Sequence, residues 1–121
     1  MEVLIPEAIG PYATYRRYHD LIFVSGQLPI DPATGKLVIG NIYDQACQSL
    51  KNTEAILSQE GCHLDDILKV TVYLTDLANF AELNRAFTDV LGKPFPARTA
   101  VEISKLPMDG QIEIETIAAA H

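Results

Sequence analysis

The sequence is short of cysteine and of positive charge, and each shortage argues against a class of function. Its two cysteines, Cys47 and Cys62, form no CxxC pair and no disulfide framework, so a reduced, cytoplasmic setting is the default expectation. Nine basic residues against sixteen acidic ones give a formal net charge of -7. Binding to phosphate backbones depends on clustered Lys and Arg, so we expect no nucleic-acid partner.

Long apolar runs and metal-binding motifs are also missing. No stretch approaches the ~20 apolar residues of a membrane-spanning helix, and the first residues, Met-Glu-Val-Leu-Ile-Pro, do not resemble a signal peptide. The three histidines, His19, His63 and His121, show no ligand spacing with cysteines or carboxylates. We therefore expect no membrane association and no bound metal.

The pattern of apolar residues predicts a single α+β domain over residues 1–121, with elements in the order β-β-α-β-α-β-β. Such an order indicates a mostly antiparallel sheet with two helices packed on one face. The other face would be covered by neighbouring subunits, which predicts a homo-oligomer. The predicted strands span 12–18, 21–25, 67–75, 98–104 and 111–118, the predicted helices span 42–60 and 80–91, and 29–35 is predicted to be a loop.

Local signals predict where the helices begin and end. Asn41 is a plausible N-cap of the first helix, and Gly61 follows that helix as a C′ residue. Asn79 and Glu82 resemble a capping box at the start of the second helix.

Alternation along the strands predicts which side chains share a face. Leu68 is expected on the apolar face of its strand with Val70, Val72 and Leu74. On the strand over 98–104, Arg98, Ala100 and Glu102 share one face and Thr99, Val101 and Ile103 share the other. The uncovered face of the sheet is expected to carry Tyr73, Lys69, Arg98 and glutamates.

An arginine and two glutamates on the last two strands suggest a site for a small 2-oxo or 2-imino acid. Arg98 offers the planar fork that binds a carboxylate, and a glutamate can hold a water and accept its proton. Glu113 and Glu115 share a face, and the residues alone do not choose between them. The simpler interpretation is an ordinary ion pair between Arg98 and one of these glutamates.

Short segments along nearly the whole chain resemble, in order, the Rid family of reactive intermediate deaminases, of the RidA or YjgF type. These segments are Ala8–Tyr12, Val24–Pro29, Gln48–Asn52, Leu68–Leu74, Asp76-Leu77, Asn84, Pro96–Thr99, Leu106-Pro107 and Ile112–Glu115.

The resemblance implies a chorismate-mutase-like fold and a homotrimer with sites between subunits. It implies hydrolysis of 2-imino acids such as 2-iminobutanoate and 2-iminopropanoate to 2-oxo acids and ammonia, with no cofactor. Arg98 matches the arginine that binds the substrate carboxylate, and Glu113 matches the glutamate that positions water. The residues that match the cleft lining are Tyr12, Ser25, Gly26, Asn84 and Ala100.

Two departures from the family pattern bear on the site. Ala100 stands where many members have cysteine, so only its backbone can contribute, and Thr14 stands where many have glutamine. The segment 13–18 is unusual for the family. An alternative function is therefore a non-catalytic trimeric protein that binds a 2-oxo acid or an amino acid. The ribonuclease or translation-inhibitor label given to some relatives is disfavoured by the net charge.

Overall fold

The computed structural model describes residues 4–121 and contains two α-helices, three short 3₁₀ helices and seven strands within that range. In chain order the strands and α-helices are β1 (Tyr15–Tyr18), β2 (Leu21–Gln27), β3 (Ile30–Asp31), β4 (Lys36–Leu37), α1 (Ile42–Ser58), β5 (Ile67–Leu74), α2 (Phe80–Val90), β6 (Ala97–Glu102) and β7 (Ile112–Ala119).

The main sheet has five strands in the order β1-β2-β7-β5-β6. β5 and β6 run parallel, and the other neighbours are antiparallel. The core contains apolar side chains from α1, α2 and one face of the sheet, among them Leu50, Leu83, Val72 and Ile114. The α+β prediction of a mostly antiparallel sheet with two helices on one face is confirmed. No helix of the described range is long and apolar enough to cross a membrane.

Helix α1 forms where its apolar stripe and its cap predict it. The side chain of Asn41 accepts a hydrogen bond from the backbone N–H of Asp44 at 2.9 Å, which satisfies one of the free donors of the first turn. The helix ends at Ser58, two residues before the predicted end at 60. Gly61 follows with φ of +71°, a left-handed conformation that glycine adopts at no steric cost.

Two local predictions were wrong. Leu68 is 50% exposed, because the register of β5 against β7 shifts between Ile67 and Lys69 and turns this side chain away from the core. Asn79 makes no cap hydrogen bond at the start of α2. Asp76 instead accepts from the backbone of Ala78 at 2.9 Å and starts a short 3₁₀ turn ahead of the helix.

The segment predicted as a loop over 29–35 contributes to a small hairpin of β3 and β4, and β1 begins at Tyr15 and not at residue 12. The prediction for the uncovered face was right for Lys69, Tyr73, Glu113 and Glu115 and wrong for Arg98. Arg98 is the register partner of Val70, whose side chain is buried under the helices. Arg98 therefore lies on the helix side of the sheet.

Candidate functional site

Glu113 lies on β7 and faces a cavity of about 370 Å³ on the side of the sheet away from the helices. Neighbouring strands place Tyr73 beside Glu113, and Thr71 beside Glu115, on this same face. The cavity is lined by Pro6, Glu7, Ala8, Ile9, Tyr12, Thr14, Ser25, Gly26, Gln27, Leu28, Ile30, Pro107, Glu113 and Glu115.

The environment of Glu113 favours its protonated form more than water does. Burial raises the pKa of the Glu113 carboxyl above its ordinary value, and the negative charge of Glu115 raises it further. Glu115 differs, because the Tyr73 hydroxyl donates a hydrogen bond to its carboxylate at 2.5 Å. Among the described residues, no hydrogen bond engages the Glu113 side chain. Glu113 is therefore the glutamate that is free to act on a bound molecule.

Gly26 brings the backbone of β2 against Glu113. A Cβ atom built on Gly26 would lie 2.6 Å from the Glu113 carboxyl carbon. The neighbouring Ser25 donates its hydroxyl to the carbonyl of Ala13 at 2.6 Å. That bond joins β2 to Ala13, the residue that follows Tyr12, so Ser25 has a structural partner in the wall. Ser25, Gly26 and Tyr12 thus form one side of the cavity together.

Arg98 lies in a second cavity, of about 280 Å³, on the helix side of the sheet. Its guanidinium donates to the side-chain oxygen of Asn84 at 2.8 Å and stacks over the rings of Phe80 and Phe87, at 5.1 and 5.0 Å from their centroids. Burial lowers the pKa of this guanidinium below its usual value, although it stays protonated at neutral pH. This second cavity is lined by Asn84, Phe87, Thr88, Phe95, Pro96 and Arg98.

No acidic side chain within residues 4–121 pairs with Arg98. The ion pair with Glu113 or Glu115, which the sequence left open, is therefore not formed within the described chain. Asn84 and two aromatic rings hold the guanidinium in place, and they leave most of its donors to a ligand. Such an arrangement suits the recognition of a carboxylate.

Ala100 lies two residues after Arg98 on the same face of β6 and packs against the core. It lines neither of the two cavities. Its methyl group is directed toward the core, so only its backbone groups can take part in a site.

The structure thus divides the predicted site residues into two groups. Tyr12, Ser25, Gly26 and Glu113 share the first cavity, and Asn84 and Arg98 share the second. The two cavities lie on opposite faces of the sheet, because Arg98 is in register with buried Val70 while Glu113 pairs with Tyr73 on the open face. One chain does not bring Arg98 and Glu113 together.

Sequence reasoning missed several lining residues, including Glu7, Ile9 and Pro107. The Leu106-Pro107 pair was recognised as a family segment, but its place in the cavity depends on the turn at Pro107–Asp109. No periodicity signals such a contact, since Glu7 and Ile9 precede β1 and Pro107 lies in the connection between β6 and β7.

One cluster of metal-ligand types lies apart from both cavities. Ligand atoms of Cys62, Asp66 and His121 lie within 4.8 Å of one another, a proximity that their spacing in the sequence did not suggest. Asp66 accepts from the backbone of His63 at 2.8 Å and pairs with the His121 imidazole at 3.1 Å. Two of the three side chains thus already have protein partners, and the absence of a bound metal stays a prediction.

The sequence is similar to a known protein family and to individual proteins of known sequence. The sequence model of the family described as Endoribonuclease L-PSP matches residues 4–120. A RutC family protein of Pyrococcus horikoshii is 49% identical over 113 residues, which are 93% of this chain and 90% of that protein. A 2-iminobutanoate/2-iminopropanoate deaminase of Capra hircus is 41% identical over 93% of this chain and 82% of its own length.

Solved structures agree with these sequence matches. The crystal structure of E. coli TdcF with bound serine superimposes with a TM-score of 0.90 at 38% sequence identity. The match covers 100% of this chain and 97% of that one. The molecule that the related structure holds is a small amino acid, which carries a carboxylate.

Proposed function

Because this chain belongs to the Endoribonuclease L-PSP family, which includes the Rid proteins that its motifs resemble, we propose that it is a 2-iminobutanoate/2-iminopropanoate deaminase. In this reaction a reactive 2-imino acid, or the enamine in equilibrium with it, is hydrolysed to a 2-oxo acid and ammonia. We propose that it needs no cofactor and acts in the cytoplasm.

The observation that carries the proposal is the state of Glu113. It is a half-buried carboxyl with a raised pKa that faces a cavity large enough for a small acid. A general base works best when its pKa approaches the working pH. The related proteins named as deaminases support the same chemistry.

In the proposed mechanism Arg98 binds the substrate carboxylate through two parallel N–H···O bonds. Ionised Glu113 orients a water and accepts its proton as the water oxygen attacks the C=N carbon. The C=N electron pair moves to nitrogen and gives a tetrahedral carbinolamine. Glu113 then returns the proton to nitrogen and, ionised again, takes up the proton of the carbinolamine hydroxyl. The C–N bond breaks, and ammonia leaves as the C=O bond forms.

Because a protonated imine is already electrophilic, the enzyme has to lower the barrier only modestly. Each factor of ten in rate corresponds to about 1.4 kcal/mol. Positioning of a water between a fixed base and a clamped substrate can supply several such factors. The proposed mechanism therefore requires neither a nucleophilic side chain nor a metal.

Catalysis by Arg98 and Glu113 requires a second copy of the chain, because the two side chains lie on opposite faces of one sheet. We propose a homotrimer in which the Glu113 cavity of one protomer meets the Arg98 cavity of the next. The head-to-tail interfaces of a three-membered ring place two different patches of the same chain against each other. A trimer of this kind would contain three equivalent sites.

The second candidate function is the binding of a small carboxylate without turnover, as in a regulatory protein. The serine held by E. coli TdcF favours it. Glu113→Gln separates the two functions, since it keeps the cavity but removes the base. If the protein only binds a small carboxylate, the wild type should show no turnover and the variant should bind the ligand as the wild type does. If it is a deaminase, the variant should lose turnover and keep its affinity for a product such as 2-oxobutanoate.

The direct test generates 2-iminobutanoate from threonine with a threonine dehydratase and traps the imine with semicarbazide. We expect the wild-type protein to compete with trapping and to lower the yield of semicarbazone. Arg98→Ala provides the matched negative control. A wild-type protein that leaves trapping unchanged would exclude the deaminase proposal for this substrate.

A further inference from the structure

The wall of the Glu113 cavity runs along the end of β2, where regular sheet pairing is lost. The register between β2 and β7 shifts between Val24 and Gln27, so Ser25 and Gly26 lie in an irregular stretch. The chain then turns sharply, with the backbone N–H of Ile30 donating to the carbonyl of Leu28 at 2.8 Å. Contacts other than regular sheet hydrogen bonds must therefore hold this part of the cavity wall in place.

Asn52 supplies that restraint from helix α1. Its side-chain N–H groups donate to the carbonyl of Ile30 at 2.8 Å and to the carbonyl of Leu28 at 3.3 Å. Its oxygen accepts from the Gln48 side chain at 2.9 Å, which fixes the orientation of the amide. Both carbonyls belong to residues that line the cavity. The amide thus bridges the two sides of the turn at Pro29.

An asparagine at this position is poorly explained by the helix or by the core. Asn52 is 1% exposed, and a buried amide is costly unless its hydrogen bonds are made. Asparagine is also a weak helix former. An apolar residue at position 52 would avoid both the burial of an amide and the weak helix propensity. What asparagine adds is therefore its hydrogen bonds to the two carbonyls of the cavity wall.

We infer that Asn52 is a positioning residue for the deaminase site, and this inference rests on the proposed function. It holds Leu28 and Ile30, which follow Gly26 along the same wall, and the backbone of Gly26 in turn lies against the Glu113 carboxyl. Leu28 is restrained from the other side as well, since its methyl group lies 2.9 Å from where a Cβ of Gly110 would be. Release of the amide bridge would let the wall move relative to Glu113.

The test compares Asn52→Ala and Asn52→Asp with Thr53→Ala. Thr53 is buried on the next position of α1 and donates within the helix to the carbonyl of Ser49, so its loss lowers stability without touching the wall. Activity is measured by the semicarbazide assay at a temperature where every variant is folded. A misplaced wall should lower kcat/KM by roughly 10- to 100-fold in the Asn52 variants, with Thr53→Ala near wild type.

Hydrogen exchange supplies a readout that a general loss of stability does not move selectively. The amides of Ile30 and Val38 donate to the carbonyls of Leu28 and Pro29, and they should exchange faster in the Asn52 variants than in Thr53→Ala. Where Asn52 variants fail to fold, Gln48→Ala removes only the group that orients the amide. It should lower kcat/KM by about 3- to 10-fold, with faster exchange at the same amides.

Wild-type kcat/KM in folded Asn52→Ala would overturn the inference. So would an equal loss in Thr53→Ala, because the effect would then follow stability alone. A wild-type protein without deaminase activity would instead overturn the proposed function. In that case hydrogen exchange alone tests whether Asn52 positions the wall. Unchanged exchange at the Ile30 and Val38 amides of the Asn52 variants would overturn that role.

Discussion

The backbone of Gly26 lies so close to the Glu113 carboxyl that a Cβ atom on the glycine would sit 2.6 Å from the carboxyl carbon and from one carboxyl oxygen. Real Cβ contacts are not this short, so any larger residue at 26 must displace the carboxyl. The glycine here provides space for a functional group on the neighbouring strand.

We predict that Gly26→Ala lowers kcat/KM for imine hydrolysis by roughly 10- to 100-fold, because the methyl group pushes the proposed base away from the attacking water. The measurement is the semicarbazide assay. Gly35→Ala is the control, since Gly35 has φ of +75° but nothing within 4 Å of its Cβ position. That variant should lose about 1 kcal/mol of stability and keep its activity. Normal turnover in Gly26→Ala would contradict the assigned position of the base.

The guanidinium of Arg98 is predicted to act through its shape as well as its charge. Arg98→Ala should lower kcat/KM by at least about 100-fold, and Arg98→Lys should keep some binding but lose the bidentate fork, seen mainly as a raised KM. Arg85→Ala is the matched control, because Arg85 also stacks on a ring, that of Tyr43 at 4.2 Å, and lines neither cavity. Wild-type activity in Arg98→Ala would remove Arg98 from the mechanism.

The acid limb of the pH–rate profile should report Glu113. Burial and the charge of Glu115 raise the pKa of Glu113, so kcat/KM should fall, as pH is lowered, at a pH above the ordinary pKa of a glutamic acid. Glu115→Gln removes the nearby charge and should move the limb to lower pH. Glu102→Gln, an exposed glutamate on β6, should leave it in place. If the acid limb stays at the same pH in Glu115→Gln, a group other than Glu113 controls the fall in kcat/KM.

Mixing two inactive variants tests whether the site is shared between protomers. Arg98→Ala and Glu113→Ala protomers each keep one intact cavity, so an interface between them can unite a native Arg98 with a native Glu113. Random reassembly of equal amounts should restore about one quarter of wild-type activity if the oligomer is cyclic. The mixture is unfolded and refolded together, and each variant refolded alone is the control. No recovery in verified mixed oligomers would place the site within one chain.

Much of the architecture followed from apolar periodicity, because buried faces repeat every two residues in a strand and every 3.6 in a helix. The span of α1, to within two residues, and the alternation along β6 were predicted in this way. Periodicity does not say which face meets the helices, and β6 has small residues on both faces, such as Thr99 and Ala100. Only its parallel pairing with β5 places Arg98 on the helix side.

Bulges and turns were the other features that the sequence did not reveal. The irregularity at Ile67–Lys69 that exposes Leu68 depends on pairing with a strand more than forty residues away. The Asn52 bridge joins a helix to a turn over more than twenty residues. Such contacts depend on tertiary structure, so the local sequence does not show which distant residue each side chain contacts.

The alanine at position 100 has a consequence for chemical resistance. The described residues around the two cavities include no cysteine or methionine, and β6 contains none either. Both thiols of the chain lie elsewhere, at Cys47 on α1 and at buried Cys62. Oxidants and alkylating agents that attack sulfur would therefore find no target at the reacting centre, and the proposed turnover should persist under oxidative stress that inactivates thiol-dependent enzymes.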